Sequence, residues 1–217
     1  MSKPTRWSYS SLSTYKQCPQ KWRFSYIDNI EWPSSPAMAR GTRLHSMCED
    51  FVTGKIPSVP HEIQKIGPLL LSLQVAGAKA EEVWLLDYNW EPTDDPAEAW
   101  VKAIIDVHHV ADSILHVKDY KSGQMYPDHL DQLELYGLIG LAKYPEVKRV
   151  DTSAVYIDTG YEGNESTILP SMKIKLIDKW HTEAERMMED EIYEPVPSPQ
   201  NCRWCPYAKS KGGPCEY

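Results

Sequence analysis

The sequence has no apolar run that approaches the length of a membrane span, and its opening, MSKPTRWSYSS, lacks the apolar stretch of a signal peptide. A cytosolic chain is therefore expected. A G-x-x-x-x-G-K-[ST] loop is also missing, which excludes the phosphate-binding loop of an ATP-driven motor. There is no internal repeat and no regular β-α-β alternation, so neither a solenoid nor a doubly wound sheet fits. Acidic residues are absent from the first 27 positions, which carry Lys3, Arg6, Lys16, Lys21 and Arg23. That absence is local. The whole chain has a formal charge of −8, with much of the acid in DKWHTEAERMMEDEIYE (178–194), the solvated face of a helix.

What is present fits one globular core. The chain has 217 residues, 41% hydrophobic and 25% charged, ordinary values for a single domain over 1–217. Leu12, Tyr15 and Cys18 are spaced three apart behind serines, which predicts a short capped helix stopped near Pro19. SPAMARGTRLHSMCEDFVTG predicts a second helix with Met38, Leu44, Met47 and Phe51 towards a core and Gly54 as its end. Residues 61–79 read as a third helix after the linker KIPSVP.

Then the period changes. EEVWLLDYNW, EAWVKAIIDVHHV and SILHVKDYK read as three successive antiparallel strands. PDHLDQLELYGLIGLAKY reads as a helix, VKRVDTSAVYIDTG as a fourth strand, STILP as a short fifth, and SMKIKLIDKWHTEAERMMEDEIYE as a long helix ended by Pro195. The expected fold class is α/β, one mixed sheet flanked by helices.

The strand ILHVKDYK ends with a carboxylate and an ammonium on one face, since Asp119 and Lys121 share a side and Tyr120 points away. Pairing through the short ADS loop brings Asp106 of AIIDV near Asp119. Two carboxylates beside a lysine suit a hard divalent cation working on a phosphate. His45 and Glu49, and likewise Gln132 and Tyr136, are spaced i, i+4 and share helix faces. Glu82, at the start of the first strand, is a weaker candidate, and His108 and His109 read as strand residues.

Five cysteines in a cytosolic chain point to metal or catalysis before disulfides. Cys202 and Cys205 form C-x-x-C, Cys215 follows, and Cys18 lies at the other end of the chain; Cys48 sits in an apolar helix as a small core residue. Four cysteines hold either zinc or a 4Fe-4S cluster. Closing that long loop would join the two basic ends, 1–30 and 195–217, into one subregion. Lys16, Lys21, Arg23, Arg203, Lys209 and Lys211 would there mix with Trp7, Trp22, Trp204 and Tyr207, either as a surface for single-stranded nucleic acid or as aromatics covering the cluster.

IID followed by DYK resembles the Asp…(Asp/Glu)-x-Lys signature of the PD-(D/E)XK nuclease superfamily. GTRLHSMCE resembles the Gly-x-x-x-His-x-x-x-Glu helix of its RecB-like branch, QLELY its Gln-x-x-x-Tyr helix, and YKQCPQKWRFSY with CRWCPYAKSKGGPC its split cysteine cluster. The last cysteine interval, PYAKSKGGP, is longer than the short spacing of that branch.

The resemblance implies a restriction-endonuclease-like core whose ends are joined by a four-cysteine cluster, on a metal-dependent DNA exonuclease. The small size is similar to the stand-alone phage and CRISPR-adaptation exonucleases, in the cytoplasm of a bacterium or a phage-infected host. It implies Mg²⁺ or Mn²⁺ on His45, Asp106, Asp119 and the Tyr120 carbonyl, with Lys121 catalytic. Gln132 and Tyr136 would line the site, Glu49 would support it, and Cys18, Cys202, Cys205 and Cys215 would ligate a 4Fe-4S cluster. The implied partners are DNA, single-stranded or with free ends, and recombination or replication proteins. A non-catalytic DNA-binding module built on the cysteines, and an endonuclease on the same fold, are the competing readings.

Overall fold

The computed structural model describes residues 3–217. The chain divides into two compact units: Ser34–Ile177, and the N-terminal residues up to Pro33 together with Asp178–Tyr217.

The larger unit holds a five-stranded sheet in the order β1-β2-β3-β4-β5, with β1 Lys79–Leu86, β2 Val101–Ala111, β3 Ile114–Lys121, β4 Arg149–Tyr156 and β5 Tyr161–Ile168. Neighbours run antiparallel except β3 and β4, which are parallel. A parallel pair needs a long crossover, and helix α5 (His129–Lys143) supplies it. The sheet is mixed and flanked by helices, and it fits a restriction-endonuclease-like core. The fifth strand has eight residues, longer than STILP suggests, because the chain turns back at Gly160 and pairs at once.

Residue alternation sorts the two faces. Val107, Tyr120 and Val155 pack against Leu44, Cys48 and Phe51 of α3 (Pro36–Val52) and against Leu70 and Leu73 of α4 (Gly67–Val75). Ala154 and Tyr156, one residue to either side of Val155, meet Leu133 of α5. Helix α3 starts where Ser35 Oγ accepts the Met38 N–H at 3.2 Å and Pro36 takes the first helical position. Met38 is expected in the core but is 65% exposed, because the N-terminal turn of α3 projects past the buried patch. Residues 61–79 are not one helix. A 3₁₀ stretch, His61–Ile66, precedes α4, and β1 starts at Lys79.

In the smaller unit Pro19 stops α1 (Tyr9–Gln17) and also opens a separate helix, α2 (Pro19–Tyr26). Helix α6 (Lys173–Glu189) crosses the boundary between the units, and α7 is Pro199–Arg203. The two chain ends are laced by hydrogen bonds. Lys3 Nζ donates to the Asp190 carbonyl at 2.7 Å, Tyr15 Oη to Asp190 Oδ2 at 2.8 Å, and Asn201 Nδ2 to the Gln17 carbonyl at 3.0 Å. Trp7, Trp22, Trp180 and Tyr207 are buried, and Trp22 stacks on Tyr193 at 5.9 Å. Most of the aromatic residues of the ends are therefore core. Trp204 alone among the four named with the basic ends is exposed, with the Arg203 guanidinium 5.0 Å from its ring centre. Lys16 pairs with Glu183 and Arg23 with Asp28, which further weakens a common basic–aromatic surface.

Helix α5 reaches the sheet through Gly137, where a Cβ would lie 2.4 Å from Ile168 Cγ1 in a β-branched, fully packed neighbour. Gly137→Ala is expected to cost about 1–3 kcal/mol by overpacking, outweighing the roughly 1 kcal/mol that alanine gains in a helix. Urea titration should show a lowered midpoint; an unchanged or raised midpoint would mean the helix can shift.

Candidate metal centre

The centre forms where β2 and β3 part. Their register runs to Val107 opposite Lys118, so Asp106 and Asp119 follow as the next opposed residues. Here a side chain replaces a strand carbonyl. The Tyr120 backbone N–H donates to Asp106 Oδ2 at 2.6 Å. The other oxygen, Asp106 Oδ1, lies 3.4 Å from Nδ1 of His45 on α3. The His45 ring also stands edge-on to Tyr120, 5.9 Å between centres.

Strand β1 adds Glu81. Ala80 pairs with Val107 and Glu82 with Ile105, so Glu81 falls opposite Asp106. Its φ of +52° is left-handed, a backbone that costs a residue with a side chain of the order of 1–3 kcal/mol. Ligand atoms of His45, Glu81 and Asp106 lie within 4.8 Å of one another, the one group of three or more His, Cys, Asp or Glu that does so among the described residues. His45, Glu81 and Glu49 border the same open pocket, with Met38 and Gly41.

On the side of α5 the contacts are tighter. Lys121 Nζ lies 2.6 Å from Asp119 Oδ2 and donates to Gln132 Oε1 at 2.7 Å. Gln132 Nε2 reaches Asp119 Oδ1 at 3.1 Å and Tyr136 Oη at 2.8 Å. One amide thus holds the carboxylate, the ammonium and the phenol in a single network.

The charges are crowded. Asp119 is 3% exposed; burial pushes its carboxyl up to about 6 against the pull of Lys121, with Asp106 adding to the rise. Burial and the nearby Asp106 likewise raise Glu81. Burial works against a charged His45, but the bond to Asp106 and the fields of Asp106, Asp119 and Glu81 carry its pKa above the usual value. Carboxylates that hold protons this readily are sharing a field that a divalent cation would neutralise. Oxygen donors with one imidazole are a donor set for Mg²⁺ or Mn²⁺.

A family description for the PD-(D/E)XK nuclease superfamily matches residues 6–90 and 76–210. The chain belongs to the PD-(D/E)XK nuclease superfamily. The crystal structure of SSO0001 is similar over 100% of this chain and 89% of its own, at TM-score 0.51 and 14% identity, a likeness of fold. No curated protein matches. Membership points to a metal-dependent nuclease with DNA as substrate.

As a PD-(D/E)XK chain, the protein has Asp106 on one strand and Asp119-x-Lys121 on the next, brought side by side. The sequence reading missed Glu81 and named its neighbour Glu82. Glu82 turns elsewhere: Oε2 accepts from Trp84 Nε1 at 2.6 Å and lies 2.8 Å from His108 Nε2. Strand alternation cannot choose between adjacent glutamates when one of them has left-handed backbone. Glu49 borders the pocket, but its carboxylate is 2.5 Å from Lys55 Nζ. Arg43 pairs with Glu62.

The cysteines stand apart from this centre. Cys18, Cys202, Cys205 and Cys215 are free thiols that border one pocket of the smaller unit. No three of their sulfurs lie within 4.8 Å of one another, so a preformed cluster of ligands is not shown. Cys48 is fully buried, and burial first, then Asp106 and Glu81, push its thiol up to about 12.

Calorimetric titration with Mn²⁺ separates the two glutamates. Glu81→Gln should weaken binding by at least about tenfold, the usual scale for a lost metal-site contact, and Glu82→Gln should not. Equal affinity in both variants would remove Glu81 from the centre.

Proposed function

We propose that the protein is an Mg²⁺- or Mn²⁺-dependent DNA exonuclease of the RecB-like, iron–sulfur branch of the superfamily. The observation that carries the reading is the joined set Asp119–Lys121–Gln132–Tyr136 beside His45, Glu81 and Asp106 in a chain of this family. His45, Asp106, Asp119 and the Tyr120 carbonyl are the proposed metal ligands, with Glu81 beside them. A divalent cation bound there supplies charge stabilisation on the phosphate and a more acidic bound water.

The chain's own residues do the rest. Asp119 and Gln132 fix the Lys121 ammonium at 2.6 and 2.7 Å, so it is aimed before substrate arrives. From there Lys121 orients the attacking water and offsets negative charge that grows on the phosphate. Tyr136 holds Gln132 through its amide and so acts as a positioning residue. Its own proton stays on, since burial above all raises its pKa.

The four thiols border one pocket of the smaller unit, and the likeness of YKQCPQKW and CRWCPYAK to the split cysteine cluster of the RecB-like branch is what supports a 4Fe-4S cluster over zinc. Burial above all raises the Cys205 thiol, against a backbone hydrogen bond at Tyr207 and the Lys21 charge, and a bound metal would favour the thiolate that this setting disfavours.

End-labelled DNA with Mg²⁺ or Mn²⁺ should be degraded and EDTA should stop it, while closed circular DNA should survive. Lys121→Ala should lose about 10²–10³ in rate, the scale of a removed transition-state donor, and Asp119→Ala at least as much. Cutting of closed circles would replace the exonuclease with an endonuclease, and intact ends in every lane would sink the nuclease. Anaerobically purified protein should carry iron and sulfide that Cys18→Ser or Cys205→Ser loses and Cys48→Ala keeps. Zinc in place of iron would overturn the cluster.

A further inference from the structure

Lys121 does not end its row of the sheet. It pairs in parallel register with Tyr156 on β4, and Tyr156 pairs with Tyr161 on β5. The two tyrosine rings stack at 6.2 Å with an interplanar angle of 28°. From α5, His129 Nδ1 lies 2.8 Å from Tyr156 Oη, and its ring is 5.8 Å from that of Tyr156. Tyr126, in the loop that follows Lys121, meets His129 edge-on at 5.7 Å. Tyr126, His129, Tyr156 and Tyr161 form one continuous aromatic row, in which Tyr156 is the strand neighbour of the lysine. Tyr156 in the middle is 2% exposed, whereas Tyr126 and Tyr161 at the two ends are 54% and 52% exposed.

We propose that Tyr126 and Tyr161 are base-stacking platforms for the DNA strand whose phosphate is cut at Lys121, and that this strand is single-stranded. The proposal rests on the nuclease reading of the Lys121 centre and deepens it. Several features favour bases as the occupant. The row is continuous by strand register with the centre that handles the phosphate. Two sheet spacings separate Lys121 from Tyr161, roughly 10 Å, within reach of a base about three nucleotides away. His129 is a flat ring and not a phosphate cation, since burial and then Lys121 lower its pKa. Bases in a duplex are stacked on each other and cannot use such rings, whereas every unpaired base has a face to offer.

The test is fluorescence anisotropy in EDTA, with a labelled oligothymidylate and a blunt duplex of equal length. Tyr161→Ala and Tyr126→Ala should each weaken single-strand binding by about tenfold, the scale of one lost base–aromatic stack. The Phe variants, which keep the ring, should bind as the unsubstituted chain does, and duplex affinity should not move. Unchanged single-strand affinity in the double Ala variant would overturn the proposal. So would a parallel loss on single strand and duplex, which would mark a general effect on the fold. Binding is read without metal, so failure of the parent chain to cleave in Mg²⁺ would sink the nuclease reading and leave this comparison standing.

Discussion

Asp106 takes the N–H of Tyr120 in the place of a strand carbonyl, and the arrangement of the centre follows from that one bond. If β2 and β3 paired to their ends, a backbone carbonyl would occupy that position and Asp106 would be one more strand residue. With the ladder interrupted, one carboxylate oxygen closes the backbone's hydrogen-bonding requirement and the other is left near His45. Helix α3 meets the sheet end through His45, and α5 meets it through Gln132. The groups of the candidate centre therefore come from helices and sheet together.

Crowding is the cost of this arrangement. Glu81 and Asp106 converge with His45, while Asp119, opposite Asp106 on the next strand, pairs with the Lys121 ammonium. The raised pKa values of Asp119 and Glu81 express that cost, as does the left-handed backbone of Glu81. Strain and unfavourable charge at one place are what a site does when a cation is to complete it.

The strands and the carboxylate–lysine pair were legible in the sequence, because alternation and the ADS turn fix which residues oppose each other. Gln132 and Tyr136 were legible for a similar reason: i, i+4 spacing on α5 puts them in contact. Glu81 was not, since no residue pattern announces a left-handed glutamate inside EEVW. Met38 was not legible as exposed from its apolar side chain alone: six residues before Leu44 it stands about 120° round the helix, on the open face of Gly41, Thr42 and His45. Pro19 was read as a stop, although the same fixed φ suits the first turn of the next helix. The aromatic residues of the ends mixed with basic ones in sequence, and only packing shows Trp7, Trp22 and Tyr207 to be core. That packing and the bonds of Lys3, Tyr15 and Asn201 tie the two ends together without any link through the cysteines.

The most direct test of the central claim is anomalous X-ray scattering from Mn²⁺-soaked crystals. A manganese peak within about 2–2.5 Å of Asp106 and Asp119 oxygens and of a His45 ring nitrogen is the predicted result. No peak there, or one at the Glu82–His108 pair in its place, would contradict a metal-dependent nuclease centred on Asp106, Asp119 and Lys121.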